Sequence, residues 1–303
     1  MKFQPIYETP SGSCYCADSL ELLPSIESES VDLVLTSPPY ALHFKKEYGN
    51  VDQQEYVEWF LPFAREFKRI LKPEGSFVLN VGGAWTPGAP LRSLYHFRLL
   101  LALCDEVGFN LCQEFFWYNP AKMPAPAEWV NVRRIRVKDS VEYIFWLLPS
   151  KFPQADNSNV LQEYSPDMKR LIKRGIKNTK RPSGHNIKTT FAADKGGSIP
   201  PNLIECGNNE SNSRYIKESK ASGRKIHPAR FPAEIPRFFI EFLTKPNALV
   251  MDPFAGSNTT GSVAQQLGRR WIAIEKDSTY ASDSELRFTE TDEVVANGQK
   301  TLF

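Results

Sequence analysis

Cysteine is sparse and scattered. The five thiols of this 303-residue chain, Cys14, Cys16, Cys104, Cys112 and Cys206, form no CxxC pair and no even-numbered framework. Reduced, mostly buried thiols are expected, with no disulfide scaffold and no metal site. Neither GxGxxG nor GxxxxGK[ST] occurs, which removes the dinucleotide and triphosphate cradles. Long apolar runs are missing too. The strongest, YIFWLL at 143–148, is far shorter than a membrane span, and MKFQPIYETPSG at the start lacks the apolar core of a signal peptide. A cytoplasmic protein without membrane contact is expected. Charge of one sign is also absent: 37 Lys and Arg against 35 Asp and Glu leave +2, so the total says little about partners. No internal repeat is visible.

What is present alternates. GSCYC (12–16), VDLVLT (31–36), SFVLNVGG (76–83), FNLCQEFFWYNP (109–120) and SVEYIFWLLP (140–149) read as strands. SLELLPSI (19–26), EYVEWFLPFAREFKRIL (55–71, despite Pro62) and LRSLYHFRLLLALCDEVG (91–108) read as helices, with KPEG (72–75) stopping the second and Gly108 capping the third. Strand–helix alternation implies an α/β protein with a doubly wound, mostly parallel sheet. From about 151 the long apolar periods disappear and Lys, Asn, Ser and Gly take over, as in RPSGHN and DKGGSIPPN. The sheet pattern resumes with HPARFPAEIPRFFIEFLT (227–244), read as a helix, then NALVMDPFAGSNTTG and RRWIAIEKD. The expected organisation is 1–150, an insert over 151–226, and 227–303.

NALVMDPFAGSNTTG reads as strand, acid, glycine loop, helix. Asp252 ends the strand, Gly256 lets the backbone pass close to a ligand, and Ser257 to Thr260 can cap the next helix. The whole loop, Phe254, Ala255, Gly256, Ser257, Asn258 and Thr259, is a candidate binding element. An acid before a single-glycine loop suits a cationic amino-acid end. Glu275 ends the next strand, where a carboxylate can hold two ribose hydroxyls. Asp18 ends a third strand and could bond an adenine amino group. A nucleoside joined to an amino acid fits these groups, and S-adenosylmethionine is such a molecule.

The other motif is TSPPY (36–40), at the end of VDLVLT. Proline cannot donate to a sheet ladder, so two of them end the strand in a rigid corner with unbonded carbonyls. If Asp252 and Ser37 end neighbouring strands, both motifs border one crevice, where ligands bind in such sheets.

TSPPY followed by DPFAGSNTT, in that order, resembles the β-class DNA amino-methyltransferases, and SPPY resembles their N4-cytosine branch. The similarity runs over nearly the whole chain, through ADSLELL, TSPPYALHFKKEYGN, FWYNP, EWVNVRRIRVKDSV, RPSGHNI, GGSIPPN and HPARFPAEIP. The resemblance implies a Rossmann-like methyltransferase fold in permuted motif order, with an antiparallel last strand and an inserted target-recognition region. It also implies S-adenosylmethionine as donor and double-stranded DNA whose target base is flipped out. A cytosine amine is planar and a poor nucleophile. Acceptors on its hydrogens, assigned to the Ser37 hydroxyl and the Pro38 carbonyl, localise its lone pair, and Pro38 and Pro39 keep the corner preorganised. Tyr40 offers a ring for the flipped base. No cysteine follows a proline anywhere, which argues against C5-cytosine methylation and its cysteine nucleophile. One departure stands out: Asn80 occupies a position where a close family member carries aspartate, and an amide cannot take a proton.

The resemblance places His227 and Arg230 near the methionine end of the cofactor. DNA contacts are expected from Lys45 and Lys46 after TSPPY, from Arg133, Arg134 and Arg136, and from Lys173, Arg174, Arg181 and His185. Trp117 could stack on the base or belong to the core. The reading is a DNA cytosine-N4 methyltransferase of a restriction–modification pair, with a cognate endonuclease as functional partner, acting as monomer or weak homodimer. The alternatives are adenine N6 methylation on the same fold, and a DNA-binding module that keeps the cofactor without turnover.

Overall fold

The computed structural model describes residues 3–41, 51–175, 189–208, 214–224, 228 and 232–288. In chain order the elements are β1 (Tyr7–Thr9), β2 (Gly12–Cys16), α1 (Ser19–Leu22), β3 (Val31–Thr36), α2 (Tyr56–Ile70), β4 (Leu71–Val81), α3 (Tyr95–Asp105), β5 (Asn110–Tyr118), β6 (Val141–Leu148), α4 (Pro166–Arg174), β7 (Leu203–Glu205), α5 (Arg214–Ala221), α6 (Glu234–Leu243), β8 (Leu249–Asp252), α7 (Thr259–Gln266), β9 (Arg270–Glu275) and α8 (Ser278–Asp283). The chain divides into two compact units, 156–201 and the remainder. Strand β7 and helix α5 belong to the larger unit.

One open sheet forms the larger unit, in the order β1-β2-β9-β8-β3-β4-β6-β5-β7. From β2 to β4 every neighbour is parallel, and β6 lies antiparallel between β4 and β5. Alternation along the central strands explains the layering. Val34, Phe77, Leu79, Phe145 and Leu147 face one core, built with Phe60, Phe63, Phe67 and Ile70 of α2 and Leu99 and Leu103 of α3. Leu33, Leu35, Val78, Ile144 and Trp146 face the other, with Ile235, Phe239 and Leu243 of α6 and Val263 of α7. Successive strand residues point to opposite faces, so apolar residues at both parities require a helix layer on each side.

Three boundaries differ from the expectation, each for a local reason. KPEG does not end an element; Val31 pairs with Leu71 and Leu33 with Ser76, so residues 72–75 bulge out of β4 while Lys72 holds Asp32 at 2.8 Å. Helix α3 starts at Tyr95 because a bridge between Trp85 and Arg92 holds the preceding residues extended. Helix α6 starts at Glu234, which places Pro236 in its first turn, where no intrahelical donor is needed. Pro62 does sit inside α2, on its exposed side. Its cost of about 3 kcal/mol is outweighed by buried Phe60, Phe63 and Phe67, each worth roughly 1.5–3 kcal/mol.

The smaller unit is built around α4 and a bridge between Gln162 and Ser198. Ser165 caps α4 by accepting from the Met168 amide at 3.2 Å. The Tyr164 hydroxyl accepts from the Lys195 amide at 2.7 Å.

Candidate active site

Four neighbouring parallel strands, β2, β9, β8 and β3, end at one edge of the sheet. The groups at or just beyond those ends are Asp18, Glu275, Asp252 and Ser37. At about 4.8 Å per strand they span roughly 15 Å. All four line one cavity of about 430 Å³, with Trp59 and Phe63 of α2, Phe254 and Ile274 as apolar walls. Pro38, Pro39, Tyr40, Ala255, Gly256, Ser257 and Thr259 complete the lining on those two motifs. The two motifs therefore meet.

Asp252 is buried, and its carboxylate is already engaged. Oδ1 accepts from the Thr36 hydroxyl at 2.7 Å and the Phe254 amide at 3.1 Å, and Oδ2 accepts from the Thr260 hydroxyl at 2.7 Å. Burial lifts its pKa to about 6, against the pull of these donors. Asp252 thus ties the end of β3 to the start of α7. Glu275 accepts from the Gly256 amide at 2.8 Å and the Asp277 amide at 2.9 Å, and burial raises its pKa as well. Gly256 reaches that bond at φ 53°, a conformation side chains resist. Asp18 caps α1 through the Leu20 amide and pairs with Lys276 at 2.8 Å. Burial works against its charge, but the Lys276 and Leu20 bonds outweigh it and hold the carboxyl below its ordinary value.

Asn258 stands behind the loop. It adopts a left-handed backbone (φ 52°), caps α7 through the Gly261 amide at 3.0 Å and donates to the Tyr7 hydroxyl at 3.0 Å. Arg287 holds the loop from outside, donating to the Ser257 carbonyl at 2.6 Å and its hydroxyl at 3.0 Å.

At the TSPPY corner, the Tyr56 hydroxyl of α2 donates to the Pro39 carbonyl at 2.8 Å. The Pro38 carbonyl has no bonding partner among the described residues. Ser37 Oγ lies 3.1 Å from Tyr40 Oη and 3.3 Å from Asn80 Oδ1. Asn80 Nδ2 donates to the Tyr143 carbonyl at 3.2 Å, which fixes the amide with its oxygen toward Ser37. Tyr40 Oη is 3.0 Å from that oxygen and 2.7 Å from Glu142 Oε2. Burial first, then the Glu142 charge, push the Tyr40 phenol well above its ordinary pKa. Its ring packs against Gly82, where an added Cβ would fall 2.4 Å from Tyr40 Cε2.

Trp117 lines the cavity and is buried, with its indole N–H on the Cys206 carbonyl at 2.9 Å. Among the arginines on the β5–β6 connection, Arg136 turns onto Asp139 at 3.2 Å, and Arg133 pairs with Glu128 at 2.8 Å above the Trp129 ring. Arg134 is exposed, as are Lys173 and Arg174 in the last turn of α4. Lys45, Lys46, Arg181, His185, His227 and Arg230 lie outside the described residues. Participants not foreseen from the sequence include Thr36, Thr260, Tyr56, Lys276, Arg287 and Glu142. The two threonines were visible beside their motifs, but Arg287 and Glu142 carry no local signal.

The DNA methylase family model matches residues 31–286. The type II methyltransferase M.PvuII of Proteus hauseri is 52% identical over 288 residues, covering 94% of this chain and 86% of that protein. M.ScaI of Streptomyces caespitosus is 28% identical, covering 91% of this chain and 81% of that protein. Among solved structures, the PvuII DNA methyltransferase (cytosine-N4-specific) superposes with a TM-score of 0.78 at 46% identity, covering 96% of this chain and 90% of that one. With the cofactor-type cavity and the SPPY corner on one sheet edge, these matches establish that the chain belongs to the N6/N4 DNA methylase family.

Proposed function

We propose that the protein transfers a methyl group from S-adenosylmethionine to the exocyclic N4 of a flipped cytosine in duplex DNA. The observation that carries this reading is the opening of the Ser37–Tyr40 corner onto the same cavity as Asp252 and Glu275. Identity of 52% to a type II methyltransferase whose solved structure is named cytosine-N4-specific supports the choice of base.

The residues present fit the cofactor. A cavity of about 430 Å³ lies within the usual range of roughly 300–1,000 Å³ for small-molecule sites. Its apolar walls suit an adenine ring, Glu275 retains lone pairs for ribose hydroxyls, and the Asp252 charge favours a cationic amino-acid end. Asp18, held by Lys276, is placed for the adenine amine, and the 254–259 loop would close on the middle of the molecule. Bound there, the cofactor supplies a sulfonium methyl, already a strong electrophile. The protein's task is geometry at the amine. Ser37 Oγ and the Pro38 carbonyl, which has no bonding partner among the described residues, are the acceptors for the amine hydrogens, and Tyr56 pins the corner through Pro39 so that they need not reorganise. The Tyr40 ring, braced on Gly82 and lining the cavity, offers a face to the base.

Exposed Arg134, Lys173 and Arg174 are proposed phosphate contacts. Residues 151–226 are proposed as the target-recognition region, of which 156–201 form a compact unit. The type II naming of the relatives supports a role beside a cognate restriction endonuclease, with no contact implied; a cytoplasmic location and a monomer or weak homodimer are proposed alongside it. Incubation with unmodified bacterial genomic DNA and the cofactor, then mass spectrometry of the nucleosides, tests the reading. N4-methylcytosine is expected. N6-methyladenine would overturn the base assignment, and cofactor binding without any methylated base would favour a binding module.

A further inference from the structure

Asn80 leaves the corner without a basic group on β4. Its amide oxygen faces Ser37 and Tyr40 at 3.3 and 3.0 Å, but an amide does not accept a proton at neutral pH. Methyl transfer to an amine leaves one proton too many on the nitrogen, and a basic side chain within hydrogen-bond reach would take it directly rather than leave it to water. Glu142 is the carboxylate that the hydrogen bonds reach. It stands on β6, one residue from Tyr143, which pairs with Val81 next to Asn80. Its Oε2 accepts from Tyr40 Oη at 2.7 Å, and its Oε1 from Lys122 at 2.9 Å. Its side chain is 15% exposed and lines the same cavity as Ser37. Tyr40 Oη is in turn 3.1 Å from Ser37 Oγ.

We infer that Ser37, Tyr40 and Glu142 form a proton relay in which Glu142 is the terminal acceptor, the role that Asn80 is chemically unable to fill. This rests on the amine-methylation reading above. As the amine N–H bond breaks, its proton goes to Ser37 Oγ. The proton that Ser37 held passes to Tyr40 Oη, and the Tyr40 proton passes to Glu142 Oε2. No hydroxyl gains or loses charge overall, and the single negative charge consumed is that of Glu142, which becomes a neutral acid and returns its proton to solvent. Lys122 orients the carboxylate through its other oxygen, leaving Oε2 for Tyr40. Asn80 is a positioning residue: its oxygen lies within hydrogen-bond reach of both hydroxyls and accepts from either one that is not donating along the relay, and its own N–H bond to Tyr143 keeps that oxygen facing them.

The test uses the full chain and three variants. Glu142→Gln keeps the shape but removes the base, and its single oxygen can accept from Tyr40 or from Lys122 but not from both. Its single-turnover methylation rate is expected to fall about 100-fold, within the range for lost acid–base catalysis, while cofactor and DNA affinities stay at wild-type values. Asn80→Asp alone is the reference for the double variant, since it sets the rate with both carboxylates present. Asn80→Asp with Glu142→Gln places a carboxylate directly on Ser37 and is expected to recover at least about tenfold. A structural role for Glu142 would give no such rescue. A wild-type rate in Glu142→Gln, or an unrescued double variant, overturns the relay. Independently of turnover, the ¹³Cζ resonance of labelled Tyr40 is expected to move in Glu142→Gln, and an unmoved resonance overturns the bond on which the relay depends. If the wild-type protein methylates no base, the functional reading fails by itself, and the Tyr40 resonance still decides whether Glu142 takes that phenol's proton bond.

Discussion

Substituting Gly82 by alanine should disable methyl transfer without touching the cofactor. A Cβ at this position would lie 2.4 Å from Tyr40 Cε2 and 2.6 Å from Cδ2. Carbon contacts relax to about 3.5 Å or more, so the ring must retreat by roughly 1 Å. Tyr40 Oη is 2.7 Å from Glu142 and 3.0 Å from Asn80, and a shift of that size carries it to or past the limit of about 3.5 Å for a real bond. The ring proposed to face the base moves with it. Misplacing a reacting group by about 1 Å costs on the order of 100-fold in rate, and overpacking costs about 1–3 kcal/mol of stability, a shift of several degrees in Tm. Single-turnover methylation, calorimetric titration with S-adenosylmethionine and thermal melting separate these effects. The expected outcome is a large loss of rate, a modest loss of Tm and an unchanged cofactor Kd. A Gly82→Ala protein with wild-type rate and wild-type melting would show that the Tyr40 ring is not braced there, and the account of the corner would fall.

Further outcomes follow from the same geometry. Ser37→Ala should slow transfer about 100-fold, as loss of one preorganised polar partner does elsewhere, with cofactor binding intact by calorimetry. Asp252 carries a folded pKa of about 6 against an ordinary 3.8, so its unfolded form ionises first. Stability should fall by roughly 3 kcal/mol as pH rises through that window, and Asp252→Asn should flatten that part of the stability profile. Because a cationic ligand favours the carboxylate, cofactor affinity should rise through the same window in the wild type and lose that rise in Asp252→Asn, measured by titration at several pH values. Tyr56→Phe removes one hydrogen bond to the corner and should cost about 1 kcal/mol of stability, with a loss of kcat and little change in cofactor Kd. Replacing Lys173 and Arg174 with glutamine should reduce the salt slope of DNA binding by about two; an unchanged slope would mean that this end of α4 does not meet phosphate.

The strands that carry chemistry were readable because their sequences are extreme. VDLVLT is apolar at both parities, which only a strand covered on two faces tolerates, and the prolines after it leave no continuation. The acid and glycine loop of DPFAG, which line the cavity, were readable as a candidate binding element for equally local reasons. Glu142 was legible as a strand residue and nothing more. Its meeting with Tyr40 depends on the antiparallel register of β4 and β6, a pairing between residues more than sixty positions apart, and period-2 alternation tells which face a side chain takes but not what stands across from it. Asp252 was read correctly as a strand-end acid. That Thr36 and Thr260 would occupy it was not readable, because one of them belongs to a neighbouring strand and the other to the following helix. KPEG looked like a terminator because its residues favour turns, and a bulge meets the same preference without ending the strand.

The adjacency of β3 and β8 has a consequence for synthesis. Leu33 pairs with Val250 and Val34 with Met251, so the central strand waits for a neighbour made more than two hundred residues later. At about 5–20 residues per second, that wait lasts on the order of 10–40 s. Throughout it, the apolar β3 can be covered by α2 and β4, while its other edge lacks its native partner. Nascent chains stalled before residue 249 should therefore engage chaperones and resist proteolysis poorly, and protection of the cofactor cavity should appear in one late step when β8 and β9 emerge.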